Sequence, residues 1–503
     1  MQSDLESIRI YERLRLIQKE LLAFQELRDI TNNRFLFIGK ANPAALEDLA
    51  FIKSKNLSFT LFKFLALIPS LILIKSVYEF LRNCVSRLLV PKLSLDSTKA
   101  NVIILSHANA VNSQSVNSDP FFGQLENDLA KFTNVKTYNL PQDSLVELWR
   151  SRNQFMETSK LSKNIGFTTF VGILIQNVSN VLIILKIVLF SKNLSIETRV
   201  LLTRAAHDQM SRASFNDLII TAELKIIIRL MESKALIITY EGHPFELTIL
   251  NEIPKVFPEI KIIAYQHAPI VGSQLSFFKG LSYFTGNVHL ATSGQIPKHI
   301  SVNSNSSIAQ NIIVLGSPKF SSGRICLGEQ DSSSQFLRVL LAPEASLEAV
   351  IEALAGTNRF LENYKNAKLT LRLHPKLRIS DGESFGFVRS NPGLAISKNT
   401  LEFDLMHADV CVYRSSAVCF QGMHYGVVPY YCSNFAPSLL DPLYLVSENK
   451  LFGPVLSEQY EDKGGLNSRE LLINLNGKRE LQVIADRYFS CFSIDSIKEL
   501  IAS

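Results

Sequence analysis

Short runs of apolar residues alternate with longer amphipathic stretches along most of the chain, which predicts strands that alternate with helices. The runs are rich in Val, Ile and Leu, as is typical of parallel strands buried on both faces. Strands connected through helices form parallel sheets with right-handed crossovers. The predicted strands are 35–39, 102–105, 135–138, 235–240, 260–265, 288–292, 312–315, 338–342, 369–373, 394–397, 410–412 and 427–431.

Residues 321–336 are rich in Ser and interrupt this alternation, so we predict a linker there. The chain of 503 residues is also too long for one ordinary core. We therefore expect an α/β protein with two Rossmann-like domains that face a central cleft. The first domain is predicted over residues 34–320 and the second over residues 337–503, with residues 1–33 preceding both.

Within residues 1–33, apolar side chains recur every three or four positions from Leu5 to Leu27. This spacing predicts an amphipathic helix over residues 4–30. Such a helix packs on its own domain, or it pairs with a second copy of itself to make a homodimer. The sequence leaves both possibilities open.

Two apolar segments, residues 57–91 and 165–191, are predicted helical insertions in the first domain. Residues 165–185 carry no charge and are long enough to span a bilayer. A single crossing would place strands of one sheet on opposite sides of the membrane, which argues against spanning. Lys and Arg flank the apolar runs 57–74 and 165–185 within these segments, and they suit helices that lie at the headgroup boundary. We predict contact with a membrane surface, and the alternatives are burial in the core and true spanning.

The charges argue against a nucleic-acid-binding protein, and the cysteines and the N-terminal residues favour a cytoplasmic location. The 52 basic and 46 acidic residues are scattered and give a net charge of only +6. The six cysteines show no CxxC or other metal-ligand spacing, which favours a reducing compartment. The first residues are acidic and carry no long apolar run, so no secretory signal is expected.

The segment 408–429 predicts a strand, a turn with two serines and a helix. Ser415 and Ser416 lie where the strand ends and the helix begins, so their hydroxyls and the free backbone N–H groups can bind an anion. In open α/β sheets, ligands bind at these carboxyl ends of the strands. The alternative is that the two serines only cap the helix.

Polar residues at two neighbouring strand ends extend this predicted anion site. Pro375 fixes the backbone after one strand, which we expect to hold the imidazole of His374 toward the cleft. The alternative for His374 is a structural histidine. The residues that we assign to nucleotide binding on these grounds are Glu344, Arg372, His374, Pro375, Lys376, Arg414, Ser415 and Ser416.

Strand ends in the first domain carry candidate catalytic residues. Glu241 follows a very apolar strand and His267 follows the next one, so a carboxylate and an imidazole are expected side by side. In this arrangement Glu241 accepts a proton from an acceptor hydroxyl, and His267 orients Glu241 or stabilises a leaving group. His243 is a third candidate, and the alternative for Glu241 is a helix cap. His107 and Asn109, after an earlier strand, are predicted to line the acceptor side.

Four motifs carry a resemblance to known families, which covers about residues 100–435. Glu–Gly–His–Pro–Phe–Glu at 241–246 and Ala–Tyr–Gln–His–Ala–Pro at 264–269 resemble a pair of motifs in bacterial surface-carbohydrate biosynthesis proteins. Leu–Arg–Leu–His–Pro–Lys at 371–376 and Ala–Asp–Val–Cys–Val–Tyr–Arg–Ser–Ser–Ala at 408–417 belong to the same set. These two are also similar to motifs of GT-B glycosyltransferases that use CMP-activated acid sugars, the sialyl- and Kdo-transferases.

The resemblance implies a GT-B-like architecture and a catalytic acid or base at Glu241. It also implies that the phosphate of CMP is held by His374, Pro375, Ser415 and Ser416. Many GT-B enzymes carry Glu on the helix after the serines, where it binds a ribose hydroxyl, whereas this chain has Gln421. Gln421 can still form a hydrogen bond but brings no charge, which leaves the identity of the nucleotide open. No DxD-type pair follows a strand, so neither a metal nor another cofactor is expected.

We therefore expect a glycosyltransferase that moves a CMP-activated acid sugar of the Kdo or sialic type to a surface-glycan or lipid-linked acceptor. Its expected location is the cytoplasm, peripherally associated with the inner membrane. The alternatives are a CDP-polyol phosphotransferase, a nucleotide-sugar epimerase, and a non-catalytic scaffold of surface-polysaccharide assembly.

Overall fold

The computed structural model describes about three fifths of the chain. The described residues are 16–17, 20–21, 24–33, 36, 70, 74–75, 77–78, 81, 99–106, 119, 121–140, 165–318, 336–344, 347, 349–355, 367–374, 377, 393–432, 440–448 and 475–502. The predicted strand at 35–39, nearly all of the predicted linker and much of the 57–91 segment lie outside them. So do four predicted site residues: His107, Asn109, Pro375 and Lys376.

The described residues form two fully parallel sheets, which confirms the α/β prediction. The first sheet has six strands in the order β2-β1-β3-β4-β5-β6, and the second has five in the order β11-β10-β7-β8-β9. Eleven of the twelve predicted strands fall within one or two residues of these elements. In chain order the strands are Val102–Ser106, Val135–Asn139, Ala235–Thr239, Lys261–Gln266, Val288–Thr292, Ile312–Val314, Leu337–Leu341, Ala367–Leu371, Leu394–Ile396, Val410–Tyr413 and Val428–Tyr431.

Helices cover the faces of both sheets. Strand β3 is buried at every position, as expected for a central parallel strand between two helical layers. In chain order, helices α1 to α13 are Gln25–Arg28, Leu125–Ala130, Phe167–Phe190, Ile196–Gln209, Arg212–Met231, Pro244–Val256, Leu275–Gly280, Gln295–Ser304, Leu401–Met406, Val418–His424, Pro442–Glu448, Leu475–Tyr488 and Asp495–Ala502.

The amphipathic stretch near the N-terminus is not one continuous helix over its described part. Phe24 has an extended backbone, and α1 begins after it. Leu21 and Leu27 are both buried, although six positions in an unbroken helix would place them on different faces. The interruption at Phe24 therefore changes the helical phase, so that Leu21 and Leu27 can both be buried. These residues pack on their own domain, since Oε2 of Glu20 accepts hydrogen bonds from the hydroxyls of Ser195 and Thr198.

Helix α3 (Phe167–Phe190) is the long apolar helix of the 165–191 segment. It is long and apolar enough to cross a membrane, but a core helix of a soluble protein meets the same criterion. One of its faces packs on α4 and α5. Asn177 on that face is buried, and its Oδ1 accepts from Asn32 Nδ2 (3.0 Å) and Gln209 Nε2 (2.6 Å). The opposite face leaves large apolar side chains exposed: Phe167, Ile175, Leu182, Leu189 and Phe190.

Helix α12 (Leu475–Tyr488) connects the two domains. It packs on α10 of the second domain and on α8 of the first. The ring of Tyr488 stacks on Phe420 of α10 with centroids 3.7 Å apart. Its hydroxyl accepts a hydrogen bond from the backbone N–H of Ile270 in the first domain (2.9 Å). One side chain therefore contacts both domains.

After α12, the chain returns to the first domain. The N–H of Ser490 donates to Ser293 O, and the N–H of Ser317 donates to Ser490 O, both at 2.9 Å. A Cβ on Gly294 or Gly316 would collide with the returning backbone, so both positions need glycine. Helix α13 then buries Ile497 against the first sheet. The segment predicted as the second domain, residues 337–503, therefore includes a helix that completes the core of the first domain. The reason is that Ile497 of α13 packs with apolar side chains of the first sheet.

Tyr488→Ala should lower the free energy of unfolding by about 3–5 kcal/mol, because it removes a buried ring that joins the two domains. Tyr488→Phe keeps the ring and leaves the N–H of Ile270 unsatisfied, so it should cost about 1–3 kcal/mol. Urea denaturation of the whole chain measures both. Equal stability of the two variants would contradict this account of Tyr488.

Candidate functional site

The first candidate site lies at the carboxyl end of the first sheet. Thr239 of β3 pairs with Tyr265 of β4, and the N–H of Tyr240 donates to Tyr265 O at 2.7 Å. Glu241 and His267 each lie two residues beyond this pair, so they leave the sheet at the same level. The strand order of this sheet reverses between β1 and β3, so the residues that follow β3 lie beside the point of reversal. Ligands of open α/β sheets bind at such points.

The three predicted catalytic residues come together there. Oε1 of Glu241 lies 2.9 Å from Nε2 of His267. Oε2 of Glu241 lies 3.7 Å from Nε2 of His243. The side chain of His267 is 8% exposed, while those of Glu241 and His243 are 26% and 31% exposed. The carboxylate is thus partly open to solvent between two imidazoles, as an acid–base group that reaches a substrate must be.

The ring of His267 is held by packing as well as by Glu241. Phe121 meets it edge-on, with centroids 4.7 Å apart. The backbone N–H groups of Phe121 and Phe122 donate to Oδ1 of Asp119, at 2.7 and 2.8 Å. Asp119 in turn accepts a hydrogen bond from the hydroxyl of Ser106, the last residue of β1. The loop after β1 thereby contributes to the site around His267.

The turn that carries Glu241 and His243 is fixed on two sides. Gly242 has φ of +83°, and a Cβ there would lie 2.5 Å from the backbone N of Phe277. On the other side lies the carboxylate of Glu246, which is fully buried and accepts hydrogen bonds from the N–H groups of both Glu241 and His243. Burial raises the pKa of Glu246, while His243 and the two backbone donors oppose that shift.

The second candidate site lies at the carboxyl end of the second sheet. Leu341 of β7 pairs with Leu371 of β8 and Val412 of β10. Three positions beyond each of these residues lies a predicted nucleotide-binding residue: Glu344, His374 or Ser415. The structure therefore brings the three strand ends to one edge. The strand order reverses between β7 and β10, so this edge is again a switch point.

The two arginines predicted to bind the nucleotide are engaged by carboxylates of their own domain. Arg414 contacts Glu344 at 3.2 Å and Glu352 at 3.1 Å. Burial lowers the pKa of Arg414, but the two glutamates outweigh this and raise it. Arg372 contacts Asp404 at 2.9 Å and donates to Asn399 O at 2.7 Å. Both guanidinium groups thus hold the strand-end loops together.

The serines and Gln421 lie around the start of α10. Ser415 is buried, and the hydroxyl of Ser416 accepts from the N–H of Val418, two residues further along, at 3.3 Å. The N-cap residue of α10 is Ala417, so neither serine holds the capping position. Gln421 is half-buried one turn further along. His374 follows β8, and its carbonyl accepts from the N–H of Leu377 at 2.8 Å.

Sequence reasoning missed Glu246 and Phe121. Glu246 had a recognisable signal, because Pro at the first helical position with Glu two residues later is typical of a helix N-terminus. Phe121 had none, since its contact with His267 joins residues that are far apart in the chain.

No protein-family model and no curated protein matches the chain. Solved structures resemble it weakly. A UDP-GlcNAc 2-epimerase from Neisseria meningitidis bound to UDP-GlcNAc is 10% identical, with 80% of this chain and 98% of that chain covered and a TM-score of 0.41. The glycosyltransferase SnogD from Streptomyces nogalater is 11% identical, with 80% and 99% covered and a TM-score of 0.42. Likenesses this distant identify neither a family nor an activity.

Gly242→Ala should lower the free energy of unfolding by about 2–5 kcal/mol, because it combines a left-handed backbone with a clash against Phe277. Gly172→Ala is the matched control, since nothing lies within 4 Å of its added Cβ and α3 is regular there. That control should stabilise the helix by about 0.5–1 kcal/mol. Urea denaturation compares the two, and a Gly242→Ala variant as stable as the parent would contradict the close approach.

Proposed function

We propose that this chain is a glycosyltransferase of GT-B-like architecture that moves a sugar from a nucleotide donor to a hydroxyl acceptor. The observation that carries the proposal is the carboxylate of Glu241, held 2.9 Å from an imidazole at the switch point of the first sheet. A second parallel sheet, with its own switch point, is joined to the first through α12. Two such sheets allow one domain to bind the donor and the other the acceptor.

In the proposed reaction, Glu241 removes the proton of the acceptor hydroxyl as the oxygen attacks the anomeric carbon. The imidazole of His267 fixes the carboxylate and stabilises its charge, and His243 contacts the second carboxylate oxygen. General-base catalysis of this kind contributes about 10²–10⁴-fold. The bond from the anomeric carbon to the phosphate oxygen breaks, and the nucleotide leaves with that electron pair.

The donor is assigned to the second domain, at the edge formed by Glu344, His374 and Ser415. The hydroxyls of Ser415 and Ser416, which lie just before α10, are proposed to contact the phosphate. We propose a CMP-activated acid sugar of the Kdo or sialic type, because the motifs at 371–376 and 408–417 are similar to those of transferases that use such donors. The acceptor is proposed to be a surface glycan or a lipid-linked glycan, and no metal is assigned.

Glu241→Gln should abolish transfer while nucleotide binding survives, because the amide keeps the size of the side chain but cannot accept the proton. Binding is measured as thermal stabilisation by CMP, CDP, UDP, GDP and TDP, where a nucleotide at one hundred times its Kd adds about 2.7 kcal/mol. Transfer is measured with the nucleotide sugar that corresponds to the tightest nucleotide.

Glu252→Gln is the matched control, because Glu252 lies toward the other end of α6 and pairs with Lys225 and Lys255. Its activity should stay within about twofold of the parent, as for most surface substitutions. Undiminished turnover by Glu241→Gln would dismiss the catalytic assignment. Conversion of the nucleotide sugar without any acceptor would instead identify an epimerase.

We also propose that the enzyme works at the cytoplasmic surface of a membrane, with the exposed face of α3 as the contact. This face carries Ile175, Leu182 and Leu189 and has no acidic side chain, while Lys186 and Lys192 are exposed beside it. An apolar face bordered by cations suits an anionic headgroup layer. The buried contacts of Asn177 support a helix that stays packed on its own domain rather than one that crosses.

Replacing Ile175 and Leu182 together by Asp should lower the affinity for vesicles at least about 100-fold, since each apolar side chain contributes about 1.5–3 kcal/mol when buried. Co-sedimentation with phosphatidylcholine vesicles, with and without phosphatidylglycerol, measures this. Val483→Asp on α12, an equally exposed apolar site in the second domain, is the control and should bind like the parent. Parent protein that stays in the supernatant with both vesicle types would overturn the membrane proposal.

A further inference from the structure

The buried carboxylate of Glu246 has more hydrogen bonds than a helix cap needs. Oε2 accepts from the N–H groups of Glu241 and His243, both at 2.8 Å. Oε1 accepts from the hydroxyl of Thr239 at 3.0 Å. Glu246 is 0% exposed, so the carboxylate depends on these donors in place of water.

A helix cap accounts for only one of these three bonds. In a capping box, the Glu at the third helical position accepts from the backbone N–H of the N-cap residue, which is His243 here. The other two donors lie outside the helix: Thr239 is the last residue of β3, and Glu241 is the candidate base. The carboxylate therefore ties the start of α6 to the end of the strand and to the turn between them.

Capping the start of a helix with a buried carboxylate costs free energy of desolvation. Burial disfavours its charged form, and it raises the pKa of Glu246. Asp, Ser or Asn at the N-cap position would satisfy the helix at lower cost. The additional bonds, and not the cap, are what the side chain of Glu246 adds to this site.

We propose that Glu246 is a positioning residue for the reaction, and this inference rests on the proposed function. It fixes the backbone of Glu241 and His243, so that the Glu241 carboxylate stays 2.9 Å from His267 Nε2. Phe277 limits the turn from the opposite side, since its backbone lies against Gly242. With both sides fixed, the carboxylate needs no rearrangement when an acceptor arrives. Misplacement of a catalytic group by about 1 Å can cost about 100-fold in rate.

Two substitutions separate positioning from charge. In Glu246→Gln the amide oxygen can accept from both backbone N–H groups, and the amide nitrogen can donate to Thr239 Oγ1, so the geometry is kept without the charge. Glu246→Ala removes both the hydrogen bonds and the charge of this side chain. Thr248→Val is the matched control on the same helix, because Thr248 is equally buried but its hydroxyl contacts Pro244 O and Thr31 instead of the turn.

Steady-state kinetics on the folded variants test the proposal. Glu246→Ala should lower kcat at least about 100-fold and leave the donor KM within about threefold, since only the catalytic group moves. Glu246→Gln should rescue kcat to within about fivefold of the parent, and Thr248→Val should match the parent. Parental kcat in Glu246→Ala would overturn the proposal. So would an equal loss in the Gln and Ala variants, because that result would assign the effect to charge.

Nitrogen NMR of the histidine side chains tests the same inference without any activity. The Nε2 resonance of His267 reports its contact with Glu241, so it should move in Glu246→Ala and stay in place in Glu246→Gln and Thr248→Val. An unchanged resonance in Glu246→Ala would show that the contact with Glu241 does not depend on Glu246. If the parent transfers no sugar at all, the proposed function fails, whereas this measurement still decides the role of Glu246.

Discussion

The alignment of neighbouring parallel strands is the constraint on which the candidate sites depend. The ladder hydrogen bond from Tyr240 N to Tyr265 O sets Glu241 and His267 at the same level, and the pairing of Leu341 with both of its neighbours does the same in the second domain. A slip of one residue would turn every side chain of a strand to the other face. Because β3 is buried at every position and β4 at all but its first, packing in the core prevents that slip at the first site.

The second constraint is helix α12, after which the chain returns from the second domain to the first. Helix α12 contacts α10, whose start carries the serines, and Tyr488 reaches Ile270, three residues after His267. The two strand-end sites are therefore connected through one stacked ring and one hydrogen bond. Where the chain returns to the first domain after α12, its backbone lies directly against Gly294 and Gly316.

The sequence predicts the sheets well because buried parallel strands are short apolar runs, such as Ala235–Thr239, that polar turns interrupt. It also predicts that Glu241 and His267 are adjacent, since consecutive strand ends meet on one edge. The sequence does not predict the ion pairs of Arg414 with Glu344 and Glu352, because these residues are 70 and 62 positions away in the chain. The return of α13 was missed for a similar reason: its apolar face shows that it packs, but not on which sheet.

That return has a consequence for how the protein is made. Ile497 fills the face of the first sheet beside Val102 and Ala235, so a nascent chain that has just completed the first six strands still lacks part of its core. Domains usually fold as they emerge during synthesis. Here part of the core of the first-made domain is supplied only after residues 495–502 have left the ribosome.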